Sequence, residues 1–464
     1  MLIRRESITY SKRKARRLRE QEESINKEIT HLRLAFAHSG NETDLKNLTD
    51  AQETLERIRE PKIHGAIVRS RVRWHDNGER CSNYFLSLEK RNVNRKSIHS
   101  LLIDGENITT KNQILSEFTK HLENKYKVQE QNVDANQYTQ QYVTKKLSDE
   151  QKQKLDEPIT FAELTQAITE MKKGRSPGSN GYTSDFFKHF WTYLGIFLFR
   201  TMQQSITDGS LSLSHKESIV TLIPKTGKAL NSLKDWRPIS LLNVDFKIIS
   251  AAMASRLKRV IHHLVSPYQS AYIKGRFIGE NTRLVYDLIH KTNANNESGL
   301  ILAADFEAAF ESVSWSFLDK ILKSYNFGLQ FKNMIRLLYL NSENFSRIIL
   351  DGFLGDKIHM QRGIRQGDPI SGYLFNLVVE PLANQLVQSS QIRGIEGADK
   401  KEIRVSQYAD DLIVFLKDSK HIDGAIAEIQ TFSTMSGLKL NLNKTKCLKI
   451  GKNENQMHAN RHGI

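Results

Sequence analysis

Cysteine is nearly missing. Cys81 and Cys447 are the only two in 464 residues, too few for a disulfide framework or a zinc site, and they suit a reducing compartment. Long apolar runs are missing too. None approaches the roughly 18–20 residues of a membrane span, so no membrane partner is expected. The charged N-terminus has no hydrophobic signal-peptide core, and no internal repeat is found. The turn-rich stretch Gly174-Arg175-Ser176-Pro177-Gly178-Ser179-Asn180-Gly181 lacks the Gly-Lys-Ser/Thr ending of a nucleotide-binding P-loop. Its amides and Arg175 could still meet phosphates.

Basic residues are abundant instead. Lys and Arg number 68 against 52 Asp and Glu, a formal net charge of +16 spread along the chain. That balance points to an acidic partner, of which a nucleic-acid backbone is the commonest; the bland alternative is a merely soluble basic protein. The length predicts about three domains at ~150 residues each. The expected division is a basic helical extension (1–63), an RNA-binding or linker region (64–157) with a soft boundary in its polar end, a main region (158–450) and a short tail (451–464).

From about Ser11, Ile25, Ile29, Leu32 and Phe36 mark one face of an amphipathic helix, broken at Gly40-Asn41. Leu45, Leu48, Leu55 and Ile58 mark a second helix, interrupted by Pro61, so a helical hairpin is expected. Its basic tip has three readings: RNA binding, nuclear import or a solvated face. Between 64 and 103, Arg69, Arg71, Arg73, Trp74, Arg80, Tyr84, Phe85, Lys90 and Arg91 interleave cations with rings. That mixture suits single-strand binding or an ordinary domain edge. Ile98–Ile108 reads as a hairpin around Asp104-Gly105. Residues 127–158 are polar and read as a loop or linker. Thr160, with Glu163 three positions on, predicts a capped helix to Lys173.

Chemistry gathers further on. Residues 217–223 read as a strand that delivers Lys225, and a loop leads to Trp236-Arg237-Pro238. A point-charge Lys and a forked Arg suit a triphosphate. Leu300–Ala304 reads as a strand buried on both faces and ending in Asp305. A carboxylate there is costly unless paired or metal-bound. Gln366-Gly367 opens an apolar helix over Tyr373–Leu386. Then Tyr408-Ala409-Asp410-Asp411 falls between two β-rich runs, so the paired acids sit at a hairpin turn, 105 positions after Asp305. Two adjacent carboxylates repel each other and call for a compensating cation. A helix is expected over His421–Met435, ended by Gly437. Leu438–Leu440 and Cys447–Ile450 are expected to pair as strands around Asn443-Lys444. Adjacent antiparallel strands would bring the three acids together, and three carboxylates can hold two Mg²⁺ roughly 3.5–4 Å apart.

The order Lys225, Arg237, Asp305, Gln366-Gly367, Tyr408-Ala409-Asp410-Asp411, Lys444 resembles a reverse transcriptase. Arg175-Ser176-Pro177-Gly178, Leu222-Ile223-Pro224-Lys225, Asp235-Trp236-Arg237-Pro238-Ile239-Ser240, Asp305-Phe306-Glu307, Gly78-Glu79-Arg80 with Tyr84-Phe85, Leu88-Glu89-Lys90-Arg91 and Ser436-Gly437-Leu438 narrow it. They resemble the polyproteins of LINE-type non-LTR retrotransposons over about residues 60–450. The resemblance implies an α+β right-hand polymerase, fingers and an antiparallel palm sheet behind the N-terminal helical extension. The implied activity is RNA-directed DNA polymerisation, with an RNA template, a DNA primer or target and dNTPs as partners, two Mg²⁺ (or Mn²⁺) as cofactors, and a ribonucleoprotein in nucleus or cytoplasm.

The resemblance also assigns roles. Asp305 and Asp410 bind both metals, Asp411 assists, and the Phe306 carbonyl completes the set. Phe310 gates against a ribose 2′-OH. Lys225 and Arg237 grip the triphosphate, Gln366 and Gly367 line the nascent pair, and Tyr408 packs under the primer end. Lys444 protonates pyrophosphate or is a solvated turn lysine. Asn180, Ala308, Glu311, Ser314 and Gly372 depart from the family's usual residues. An upstream endonuclease domain, most of a thumb and a cysteine-rich knuckle are all missing, so a truncated chain is expected. Rival readings are a relic that only binds RNA or DNA, an enzyme copying RNA into RNA, which Phe310 disfavours, and a structural RNA-binding protein.

Overall fold

The computed structural model describes residues 2–70, 98–128, 134–341 and 343–451. The basic-aromatic stretch Arg71, Arg73, Trp74, Arg80, Tyr84, Phe85, Lys90 and Arg91, with Gly78, Glu79, Leu88 and Glu89, lies outside the described residues, as do Cys81 and nearly all of the tail. The chain divides into two compact units between Ile98 and His99.

The first unit holds two helices, Leu2–Ser39 and Glu42–Ser70. Gly40 turns the chain between them in the left-handed region, φ +61°, where a residue without Cβ is unstrained. Ile29 and Ala51 are buried, and Arg59 Nε donates to Glu22 Oε1 at 2.8 Å. The first helix starts earlier than the apolar pattern indicates. Pro61 does not interrupt the second: proline removes one backbone bond, at a cost of ~3 kcal/mol, and the helix continues to Ser70.

The second unit combines helices with largely antiparallel sheets, as expected. β1 (Leu101–Ile103) and β2 (Glu106–Ile108) form the small hairpin, with Asp104 and Gly105 both at positive φ. The supposed linker is not one. Helices Asn136–Tyr142 and Asp149–Asp156 lie in it, and Tyr138, Val143, Leu147 and Leu155 enter the main core. Polar residues dominate its composition because only one face of each short helix is buried. The helix Phe161–Glu170 follows with the capping box intact.

Two sheets position the chemistry. In the first, β3 (Glu217–Pro224) lies between antiparallel β4 (Trp236–Leu242) and parallel β7 (Phe345–Leu350); β8 (Phe353–Leu354) and β9 (Ile358–His359) complete it beside β7. The second contains β5 (Ser298–Ala304), which is followed at once by β6 (Phe306–Glu307). After the two-stranded ribbon of β10 (Ile395–Glu396) and β11 (Glu402–Ile403) come β12 (Val405–Tyr408) and β13 (Asp411–Leu416). β14 (Lys439–Leu440) and β15 (Lys446–Gly451) close the chain. The spatial order β12-β13-β5-β15 is antiparallel throughout.

β14 and β15 do not pair with each other as the sequence suggested. β14 pairs with β6 and β15 with β5. The run 298–307 breaks at Asp305, and its partner breaks at the same level through a turn in which Thr445 N donates to Asn441 O at 2.9 Å. The helix Ser371–Gln388, almost wholly buried, packs with Ile422–Ser436 beneath the second sheet.

Candidate active site

Register brings the acids together. Ala304 of β5 pairs with Leu412 of β13, so the next position along β5, Asp305, comes level with Asp411. Tyr408 pairs with Asp411 across the hairpin, leaving Ala409 and Asp410 as a two-residue turn. The turn frees Asp410 from the strict alternation of a strand, and both acids reach the end of the sheet where Asp305 stands. Burial, then the charges of Asp411 and Asp305, raises the Asp410 carboxyl above its ordinary value. Burial, then Asp305, does the same to Asp411.

Asp305 is held from two sides. Its carbonyl accepts from Asn441 N at 2.8 Å, and its Oδ2 accepts from Lys444 Nζ at 3.1 Å. Lys444 is therefore not a free turn lysine. The pair is open to solvent, 63% exposed at the lysine, and an ion pair of that kind stabilises a fold by about 0–1 kcal/mol. Stability does not account for it.

Two further basic residues stand on the first sheet. Lys225 follows β3 and Arg237 lies on β4, opposite Ile223. The Lys225 ammonium is pushed below its ordinary value by burial, then by Lys444, Lys125 and Arg237. Three other basic groups thus act on Lys225, whose Nζ donates to Lys234 O at 2.6 Å. Gly367, at φ +100°, lies so close to β4 that a Cβ would meet Ser240 O at 3.1 Å. Gln366 beside it is half-buried. The loop is braced from inside by Asp368, which accepts hydrogen bonds from Ser250 Oγ and Tyr339 Oη, and by buried Arg365 over the Phe246 and Tyr339 rings.

Phe310 is stacked on Phe375, centroids 4.7 Å apart, and its carbonyl accepts from Ile364 N. Phe306 is buried in β6 opposite Leu440. Tyr408 is half-buried at the end of β12. The unusual Gly372 has a steric cause: a Cβ would lie 2.6 Å from the Tyr272 ring, which faces Asp410 and Tyr408. Glu311 is buried and raised by burial, with Lys125 opposing and Asp410 adding to the shift. Sequence reasoning missed Lys125, Tyr272, Gln269 and Arg365. Of these only Arg365 adjoins a motif, Gln366-Gly367, and nothing in the spacing singles it out.

Among the described residues, no three His, Cys, Asp or Glu side chains are arranged to hold a metal ion as they stand. The donor chemistry nevertheless fits one. Asp305, Asp410 and Asp411 offer hard oxygens of the kind Mg²⁺ takes together with substrate phosphates, and their mutual repulsion is what a divalent cation relieves.

The acids thus stand at one end of the second sheet, with Lys444 on Asp305. The chain belongs to the reverse transcriptase family: residues 223–458, about half of it, match the reverse transcriptase (RNA-dependent DNA polymerase) family. Membership implies a polymerase palm-and-fingers fold, and the family generally uses divalent metals. Its relatives narrow the class to the LINE-type, non-LTR reverse transcriptases that the motifs resemble. The chain is 31% identical over 430 residues to the Transposon TX1 uncharacterized 149 kDa protein of Xenopus laevis, covering 92% of this chain and 32% of that protein. It is 28% identical over 295 residues to the retrovirus-related Pol polyprotein from type-1 retrotransposable element R2 of Popillia japonica, 63% of this chain and 40% of the relative. It is also 28% identical over 276 residues to the polyprotein of type-2 retrotransposable element R2DM of Drosophila melanogaster, 60% and 25%. The chain thus spans less than half the length of each of these relatives. No helix among the described residues is long and apolar enough to cross a membrane.

Proposed function

We propose that the chain copies RNA into DNA, extending a primer 3′-OH with dNTPs at Asp305, Asp410 and Asp411. The observation that carries this reading is the register that sets Asp305 level with Asp411, with Lys444 on Asp305. The primer hydroxyl attacks the α-phosphorus of the dNTP, and pyrophosphate leaves. Asp305 and Asp410, with Asp411 and the Phe306 carbonyl, would hold two Mg²⁺, or Mn²⁺ in its place. Bound metal supplies a more acidic primer hydroxyl and a charge to offset the leaving oxygens. Lys225 and Arg237 grip the triphosphate, the one as a point charge and the other as a fork. Gln366 and Gly367 line the nascent pair from the loop against β4. Phe310, fixed on Phe375, blocks a 2′-OH; Tyr408 packs under the primer end. Lys444 donates its proton to the departing pyrophosphate.

In this reading residues 158–450 make the fingers and palm. β5, β12, β13 and β15 floor the palm, and β3–β4 belong to the fingers. Residues 1–63 are a basic helical extension, 64–157 an RNA-binding region and 451–464 a tail. The working form is an intracellular ribonucleoprotein with template RNA and a DNA primer or target. The test is primer extension on poly(rA)–oligo(dT) with Mg²⁺, beside the Asp410→Ala, Asp411→Ala variant. Extension by the wild type alone supports the reading. If neither protein extends, yet both bind the duplex with salt-sensitive affinity, the relic reading replaces it.

A further inference from the structure

The turn that presents Asp410 is strained at the residue before it. Ala409 has φ +54°, a left-handed conformation that costs a residue with a Cβ roughly 1–2 kcal/mol. Alanine has no polar side chain with which to hold itself there, so the restraint must come from elsewhere.

It comes from Gln269, whose side chain is fully buried. Its Oε1 accepts from Ala409 N at 2.9 Å, and its Nε2 donates to Ala409 O at 3.3 Å. Oε1 also accepts from Ala271 N at 2.9 Å. Two backbone N–H groups share that atom, so it must be the amide oxygen, and the orientation of the side chain is fixed by chemistry. One side-chain amide therefore grips both polar groups of the strained residue, as a neighbouring strand would.

The gripping residue is itself immobilised. Ser270 N donates to Gln407 O at 3.0 Å and Gln407 N to Tyr268 O at 2.8 Å, so the segment lies along the free edge of β12. Arg276 Nη1 donates to Gln269 O at 2.7 Å, and Asn376 Nδ2 to Ala271 O at 2.7 Å. Ser266 N donates to Glu380 Oε1 at 2.9 Å, which ties the start of the segment to the central helix.

We propose that Gln269 is a positioning residue for nucleotidyl transfer, holding the Ala409 turn so that Asp410 and Asp411 meet Asp305. This rests on the polymerase reading. Space-filling alone would be served equally by methionine, which matches glutamine in length and cannot grip. The test uses the full chain with Gln269→Met, Ala409→Gly and both together. Three quantities are measured: kcat and KM for dTTP on poly(rA)–oligo(dT), duplex affinity, and hydrogen exchange at the Ala409 amide.

Gln269→Met is expected to lower kcat by about 10- to 100-fold, the usual toll of losing a group that orients a metal ligand. KM for dTTP and duplex affinity should stay near wild type, a split that general destabilisation would not give. The loss should shrink when residue 409 is glycine, because glycine takes φ +54° without strain. Exchange at Ala409 should speed up. A wild-type kcat in Gln269→Met, or an equal loss in both backgrounds, overturns the proposal. If the wild type extends no primer, the polymerase reading fails separately; unchanged exchange at Ala409 then overturns the grip on its own.

Discussion

At the residue scale, Asp410 and Asp411 stand where burial and neighbouring acids disfavour their ionised forms. Burial and the neighbouring acids both raise the Asp410 carboxyl, so its ionised form is disfavoured in the folded chain. Asp410→Asn should therefore raise the melting temperature of the metal-free protein at neutral pH while abolishing primer extension. Adding Mg²⁺ should stabilise the wild type more than the variant. A variant that melts lower without metal would contradict the electrostatic account. Phe310 carries a separate expectation. With its ring fixed on Phe375, Phe310→Ala should raise ribonucleotide incorporation relative to dNTP, read as the ratio of kcat/KM values; an unchanged ratio would count against the gate. The acids were legible because an Asp pair between β-rich runs, with Asp305 ending a buried strand upstream, calls for a shared cation. Gln269 was not, since a lone glutamine in Ser266-Pro267-Tyr268-Gln269-Ser270 looks like any loop residue. Its role exists only through contacts 140 positions away.

At the element scale, the two hairpins and the pairing of the Asp305 strand with the Asp-Asp hairpin were readable, and the partners of the last two strands were not. The Thr160 cap was readable because its chemistry is local: Thr160 Oγ1 accepts from Glu163 N, and a Glu163 carboxylate oxygen accepts from Thr160 N. The pairing of β14 with β6 was not readable, because two residues carry no register. The interruption expected at Pro61 failed because one missing bond is small against a helix of 29 residues. The buried helix Ser371–Gln388 allows a pH test. Burial lifts the Glu380 carboxyl from 4.5 to about 7, against its bonds from Ser266. Between those values the folded chain keeps a proton that the unfolded chain has lost, so stability falls as pH rises from 4.5 to about 7. Glu380→Gln should flatten the melting temperature across that window. An equally steep profile in the variant would place the titration elsewhere.

At the scale of the whole molecule, net charge was the first indication and the least specific. A charge of +16 is compatible with any acidic partner. What it did not disclose is that Lys125, from a helix far upstream in sequence, comes close enough, with Lys444 and Arg237, to act on Lys225. That convergence is a product of the fold. The family was legible because many short motifs occur in one order, whereas the support around the acids is spread over segments with no signature. The most direct test of the central claim is single-nucleotide incorporation on a preformed RNA-template–DNA-primer duplex, wild type against Asp305→Ala. Both proteins should bind the duplex, and only the wild type should add dTMP. Equal incorporation by the variant, or tight duplex binding without incorporation by the wild type, would contradict it.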